Sequence, residues 1–550
     1  MNSKYKKLEL CWPGKDIEVK PEPRVLIEDP EKSYGEADTE NMLIHADNLL
    51  ALKALEQNFS GRIKCIYIDP PYNTGNAFEH YDDGLEHSIW LNLMYSRINI
   101  LYKLLANEGV IFINVDEVEH AYLKVMLDGI FGRNNFIGDI IWKKRKGGGN
   151  DSRFIALDHD YIIVYAKNAT KETHKIKWRV SQSEEYLKRY KEIDENGDRY
   201  YWDTLARDGL QNPIPVTIDC PDGSKLSINS QKSIDTINEG LKNGQIRLTK
   251  SRNGWTLHHR VYMPSGQVLR SILDDVGTNK TANDETIALF GVNNAFDYPK
   301  PESLIKKLLE LVTKKGDWVL DSFLGSGTTA AVAHKMKRKY IGIELGQHCN
   351  THCLPRLKSV CDGSDQGGVS KALEWKGGGG FKFYNLAPSL LNKDKYNQWV
   401  INPNYNADLL AAAMARHEGF SYSPDESVVW KQGFATENHF IFTTTNTITP
   451  DVVEQILSEM KPDESLRICC TAFIDGCNEI SNRIEIKKIP EVLLGKCEFG
   501  KEDYCTDTNI INMPADPEKP AFTPSYVKPD VKPEPANIKK DTPSQTKLLF

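Results

Sequence analysis

The 550-residue sequence predicts an α/β protein built on a doubly wound, mostly parallel sheet, with one unit inserted into it and a further α/β unit after it. Short β-branched runs alternate with helical periodicity along 42–131 and again along 298–345, the pattern of parallel βαβ units. In both stretches a strand ends in an acid and opens into a rigid or glycine-rich loop, at the sheet end where open α/β folds present ligands. A content of 40% hydrophobic and 26% charged residues is ordinary for a globular chain, and the length allows two to four domains.

Residues 1–40 are polar, carry Pro21, Pro23 and Pro30, and are expected to form a largely irregular arm. The start, MNSKYKKLELCWPGKD, holds no apolar segment of signal-peptide length, and no run of about 18 apolar residues occurs anywhere. No membrane partner and a cytoplasmic location are therefore expected. Eleven scattered cysteines, with Cys469 and Cys470 adjacent, read as reduced thiols.

MLIHADNLLALKAL, from Met42, is a short strand, then Asp47 in a helix-capping position, then leucines at helical spacing. IYIDPPYNTG, 66–75, is a buried strand that delivers a rigid polar loop. Pro70 and Pro71 fix φ and remove donors, so the carbonyls around them are left to accept hydrogen bonds. With the Asp69 carboxylate they suit the two hydrogens of an exocyclic amine, and the Tyr72 ring offers a face to a flat heterocycle. An adenine amine fits that cradle. Its lone pair is delocalised into the ring, and acceptors that pull its hydrogens toward a tetrahedral arrangement free it for attack. A base must leave the duplex stack to reach such a loop.

An amphipathic helix is expected over 88–107, a buried strand over 109–116 and a helix over 117–131. Residues 137–153, with four basic residues in a row followed by three consecutive glycines, read as a flexible basic loop in which Lys143, Lys144 and Arg145 would approach DNA. DYIIVYAKN, 160–168, reads as the last strand of this half. From 171 to 285 the periodicity is poor, with a turn signal at Pro221-Asp222-Gly223. The net charge of −7 hides a local excess of cations, because 242–270 holds six Lys and Arg and no Asp or Glu. Aromatic residues interleave with them, as contact with nucleic acid requires, and Lys250, Arg252 and Trp255 are the candidate DNA contacts.

Residues 298–345 give a helix, a strand ending at Asp321, a glycine-rich turn, a helix and a strand ending at Glu344. Gly325, Gly327 and Ala330 form GxGxxA between strand and helix, and Glu344 follows at the distance where an acid holds ribose hydroxyls. A nucleoside cofactor is expected there. HCNTHC, 348–353, places two His/Cys pairs on faces about 100° apart, which does not make a zinc site, and no metal is expected. KGGGGFKFYNLAP marks a boundary before a mixed α/β segment, and the eight prolines of 511–550 leave too little apolar surface to fold.

DPPY with the following NTG resembles the catalytic motif of amino-methylating DNA methyltransferases, and the run through FEHYDDGLEHSIWLNLM resembles type III restriction-modification modification subunits. DSFLGSGTT resembles the cofactor loop of the same enzymes, with Lys300-Pro301 similar to the segment before it. The resemblance implies a Rossmann-like S-adenosylmethionine-dependent fold, with the catalytic loop before the cofactor loop in the β arrangement. Its catalytic residues would be Asp69, Pro70, Pro71 and Tyr72. Asp47, Lys300, Pro301, Asp321, Phe323, Gly325, Gly327, Thr328 and Glu344 would hold S-adenosyl-L-methionine.

The domains expected are an arm 1–40, a catalytic half 41–170, a target-recognition insert 171–285, a cofactor half 286–362, a carboxyl-terminal domain 376–510 and a disordered tail 511–550. The expected activity is methylation of adenine N6 in double-stranded DNA. Cytosine N4, whose amine poses the same problem, and a catalytically silent recognition subunit are the alternatives. A nicotinamide-dependent oxidoreductase would share the glycine turn but leaves DPPY unexplained. A homodimer is expected. No GxxxxGK[ST] loop occurs, so a restriction system would need a separate ATP-dependent nuclease subunit. The terminal Gln545-Thr-Lys-Leu-Leu-Phe550 resembles the short peptides that bind bacterial sliding clamps.

Overall fold

In the computed structural model the residues described are 9–72, 87–147, 154–170, 178–180, 184–206, 211–252, 254–264, 266–291 and 296–504. The order begins with β1 (Leu26–Glu28), β2 (Met42–His45), α1 (Asn48–Phe59), β3 (Ile63–Ile68), α2 (His87–Leu104), β4 (Leu105–Val115), α3 (His120–Phe131), β5 (Phe136–Lys143) and β6 (His159–Ala166). The insert supplies β7 (Arg199–Thr204), α4 (Ile234–Lys242), β8 (Ile246–Ser251) and β9 (Gly254–Tyr262). The chain then returns through β10 (Ile272–Leu273), α5 (Asn279–Phe290), α6 (Glu302–Val312), β11 (Trp318–Asp321), α7 (Thr328–Lys335), β12 (Lys339–Glu344), α8 (Leu354–Asp362) and β13 (Gly380–Leu386).

These strands make one sheet in the order β1-β13-β2-β12-β11-β3-β4-β6-β5-β10. From β13 to β4 every neighbour pair is parallel, whereas β6 runs antiparallel to both β4 and β5. β3 and β4 are buried on both faces, which explains their continuous apolar runs in place of alternation. One face packs under α1, α2 and α3 through Leu50, Met94, Leu101 and Leu123. The other packs under α6, α7 and α8 through Leu304, Leu308, Val332 and Leu357.

Two expectations are corrected. The basic loop expected at 137–153 begins as strand β5, because Ile140 and Trp142 alternate into the core while the cations start only at its end. The irregular arm expected at 1–40 contains β1, paired antiparallel to β13, and its Arg24 is buried against Glu22 and Glu502. In the segment 376–510, β13 joins the central sheet beside β2. A separate five-stranded sheet follows, containing β14 (His439–Ile448), β15 (Ser465–Phe473) and β16 (Ile484–Lys488), which run parallel to one another. Within the insert β8, β9 and β7 pair antiparallel, and Leu257, Ile246 and Ile237 of α4 form a small core behind them. No helix among the described residues is long and apolar enough to cross a membrane.

Candidate active site

β3 is apolar to Ile68, and the two prolines end it at once, so Asp69 stands at the carboxyl edge of the sheet. Its carboxylate gathers three donors. Lys300 Nζ donates to Oδ2 at 2.5 Å, the Tyr72 hydroxyl to Oδ1 at 2.7 Å, and Asn114 Nδ2 to the same oxygen at 3.2 Å. Asn114 also donates to the Tyr72 hydroxyl. Burial, with the Asp69 charge beside it, holds the Tyr72 phenol well above its usual pKa, so it stays a neutral donor. The Trp90 indole of α2 donates to the Pro71 carbonyl at 2.6 Å and pins the loop from below. The Pro70 carbonyl accepts no hydrogen bond among the described residues.

Asn114 was not anticipated from sequence. Ile68 pairs with Ile113 across parallel β3 and β4, so the next residues, Asp69 and Asn114, emerge side by side. The signal was a polar residue closing each of two apolar runs, and it becomes legible only once the register is known. Asn114 Oδ1 is buried with no hydrogen-bond partner among the described residues, a state that a ligand donor would relieve.

β11 lies between β12 and β3, which brings the glycine-rich loop to the strand ends next to Asp69. Gly325 and Gly327 have φ of +55° and +84°, conformations that disfavour a side chain, and a Cβ on Gly327 would lie 3.3 Å from Cys353 Cα. Glu344 accepts from the Gly325 N–H at 2.7 Å and the Gly346 N–H at 3.0 Å, and His348 Nε2 lies 2.9 Å from its carboxylate. Asp321 accepts from the Phe323 N–H at 3.0 Å, and burial, with the charges of Asp69 and Glu344 adding, pushes its carboxyl up to about 7. Ser322 Oγ is buried without a hydrogen-bond partner among the described residues. Thr328 opens α7, and its hydroxyl accepts from Arg356 Nη1 at 2.9 Å.

Asp47 caps α1 through the Leu50 N–H at 3.0 Å and also accepts from the Tyr504 N–H at 3.1 Å and Arg97 Nη2 at 3.4 Å. Pro301 is the residue before α6. Lys300, expected with the cofactor residues, instead faces Asp69, and its ammonium lies 5.2 Å from the Tyr72 ring centroid and 5.8 Å from that of Trp142. HCNTHC is a π-helical turn in which the Cys353 thiol donates to Gly325 O at 3.0 Å and so braces the glycine loop.

The candidate DNA contacts fare unevenly. Lys143 is exposed at the end of β5, but Lys144 is drawn inward to a buried Asp160 at 2.6 Å, which removes it from the free surface cations. The Arg145 N–H donates to Asp158 O. In the insert Lys250 and the Trp255 indole both donate to Asp222, at 2.6 and 2.9 Å, while Arg252 is exposed. Two cations of the basic window 242–270 stack on rings that were missed: Arg247 lies 4.1 Å from the Trp202 ring centroid, and Arg260 lies 4.7 Å from that of Tyr200. RYYWD, in a segment without clear periodicity, was the only trace of those rings.

The sequence model of the DNA methylase family matches residues 63–351, which span both loops. The "Probable type III restriction-modification enzyme HindVI Mod subunit" of Haemophilus influenzae is 32% identical over 407 residues, covering 64% of this chain and 54% of the relative. The type III restriction-modification enzyme StyLTI Mod subunit of Salmonella typhimurium is 32% identical over 345 residues, covering 53% and 49%. The chain thus spans about half the length of these curated relatives. Among solved structures, the Thermus thermophilus protein described as a "Putative DNA Modification Methylase", crystallised with S-adenosyl-L-methionine, aligns at 15% identity with a TM-score of 0.31, over 62% of this chain and 99% of that one.

Proposed function

The chain belongs to the DNA methylase family, and from that premise we propose that it methylates adenine N6 at specific sites in double-stranded DNA as the modification subunit of a type III restriction-modification system. The observation that carries the reading is the Asp69 carboxylate standing at the carboxyl end of β3, one strand from the glycine-rich loop at the end of β11. A flipped base stacks on Tyr72, and its amine hydrogens go to the Asp69 carboxylate and the Pro70 carbonyl, which directs the nitrogen lone pair outward. Trp90 and Asn114 keep that loop in place during the reaction.

The residues around the glycine turn fit S-adenosyl-L-methionine. Gly325 and Gly327 keep the turn free of side chains, Ser322 Oγ has an unmet hydrogen bond, and Asp321 would ionise more readily beside a positive group. Asp321, Phe323, Gly325, Gly327, Thr328 and Glu344 would hold it, with Asp47 and Pro301 on neighbouring strand and helix ends. When bound, the cofactor supplies an electrophilic methyl group on a sulfonium.

Cytosine N4 is the second reading, since the same acceptors suit its amine; Asp as the first residue of the motif favours adenine. Residues 171–285 carry the sequence readout in this proposal. The proposed assembly is a cytoplasmic homodimer that joins an ATP-dependent restriction subunit, in keeping with relatives named as Mod subunits. Tethering to a sliding clamp through Gln545–Phe550 rests on residues outside those described. Long-read sequencing of host DNA with and without the gene should reveal one methylated motif and its modified base. Asp69→Ala should erase that signal while S-adenosylmethionine binding, measured by calorimetry, persists; full methylation by the variant would overturn the mechanism.

A further inference from the structure

Lys300 is 8% exposed, and its ammonium carries three donors. Among the described residues it makes one hydrogen bond, to Asp69, and its remaining contacts are the faces of Tyr72 and Trp142. A buried cation with donors to spare beside the carboxylate that receives an amine needs an acceptor from the ligand. The proposed substrates both supply one. In adenine the amine is flanked by the bare ring nitrogen N1, and in cytosine by N3. In guanine and thymine the corresponding ring nitrogen carries a hydrogen, and the neighbouring exocyclic group is a carbonyl.

Resting on the methyltransferase reading above, we infer that Lys300 is a base-recognising residue of the active site, donating a hydrogen bond to the unprotonated ring nitrogen next to the amine that is methylated. Asp69 and Lys300 together then read a donor beside an acceptor on the flipped base. Amino bases satisfy both groups. Keto bases set a carbonyl against Asp69 and an N–H against an ammonium. As the base slides onto Tyr72, Lys300 exchanges its contact with that ring for the ring nitrogen and keeps its bond to Asp69.

The test compares two duplexes that carry the methylated site mapped as above, one with adenine and one with 1-deazaadenine at the target. The second replaces N1 by C–H and keeps the amine. Single-turnover methylation by the wild-type protein should fall about ten- to a hundredfold on the analogue, the scale of one hydrogen bond to a charged group. Lys300→Met should be slower on adenine and indifferent to the replacement, with S-adenosylmethionine affinity kept. Lys300→Arg, which restores a cationic donor, should recover part of the discrimination. A Lys300→Met protein that still discriminates between the duplexes as the wild type does would overturn the assignment. So would loss of S-adenosylmethionine affinity in that variant with discrimination intact, which would make Lys300 a cofactor residue. If the wild-type protein methylates no base in either duplex or in host DNA, the methyltransferase reading itself fails, and this assignment with it.

Discussion

Asp321 shows how one buried carboxyl couples the glycine-rich loop to pH. Its pKa, raised from 3.8 to about 7, lies above the unfolded value, so folding favours the protonated form. Its contribution to stability is complete below about pH 4 and is lost as the pH rises through 7. Asp321→Asn keeps an oxygen for the Phe323 N–H and abolishes the titration. Melting curves from pH 4 to 8 should show the variant gaining on the wild-type protein up to about pH 7, by on the order of a few kcal/mol, and then levelling. Curves that stay parallel would refute the shift. At this scale the motifs DPPY and GSGTT were legible because chemistry restricts their residue types. Asn114 was not, because its partnership with Asp69 depends on strand register, and Lys300 was read beside Pro301 although only the fold shows that it faces Asp69.

Between elements, α6, α7 and α8 are joined by a buried ionic cluster under the glycine loop. Glu302, at the start of α6, receives Lys335 of α7 at 2.8 Å and Arg356 of α8 at 2.8 Å, and Lys335 also reaches Asp365 at 2.8 Å. Arg356 continues to Ser326 O and Thr328. Because Lys300 and Glu302 flank Pro301, this cluster fixes the segment that carries Lys300 to Asp69. Lys335→Met would leave the buried Asp365 without its cation and Glu302 with Arg356 alone, and should lower stability by about 3–5 kcal/mol in urea unfolding, the scale for a broken buried pair. A change below about 1 kcal/mol would mean that the cluster rearranges freely. None of this pairing could be read from sequence, since Glu302, Lys335, Arg356 and Asp365 are ordinary charges until three helices bring them together. β5 was hidden for a different reason: the cations and glycines after it outweighed the alternation of Ile140 and Trp142.

Over the whole molecule, the order of strands and helices along 42–131 and 298–345 followed from hydrophobic period, whereas the paths of the insert and of 376–504 did not, because their short strands are defined by partners far along the chain. The architecture would let readout and chemistry vary separately under the proposed function: the insert has its own small core, while the DPPY and glycine loops sit on the central sheet. Exchanging residues 171–285 with the equivalent segment of a relative should change the methylated motif in sequenced host DNA and leave the methylated base type unchanged. An unchanged motif would move readout elsewhere.

The position of β13 has a consequence for how the protein comes into being. β2 is translated early, yet its neighbours on both sides, β12 and β13, are among the last parts of the central sheet to leave the ribosome, and β1 waits for β13 in turn. Until then the nascent chain displays an open, apolar strand edge, the kind that pairs with the wrong neighbour. Pairings so distant in sequence also close slowly. β1 and β2 therefore cannot reach their final places cotranslationally before β13 emerges, and the completed central sheet arrives late in synthesis, well after the DPPY loop itself has been made.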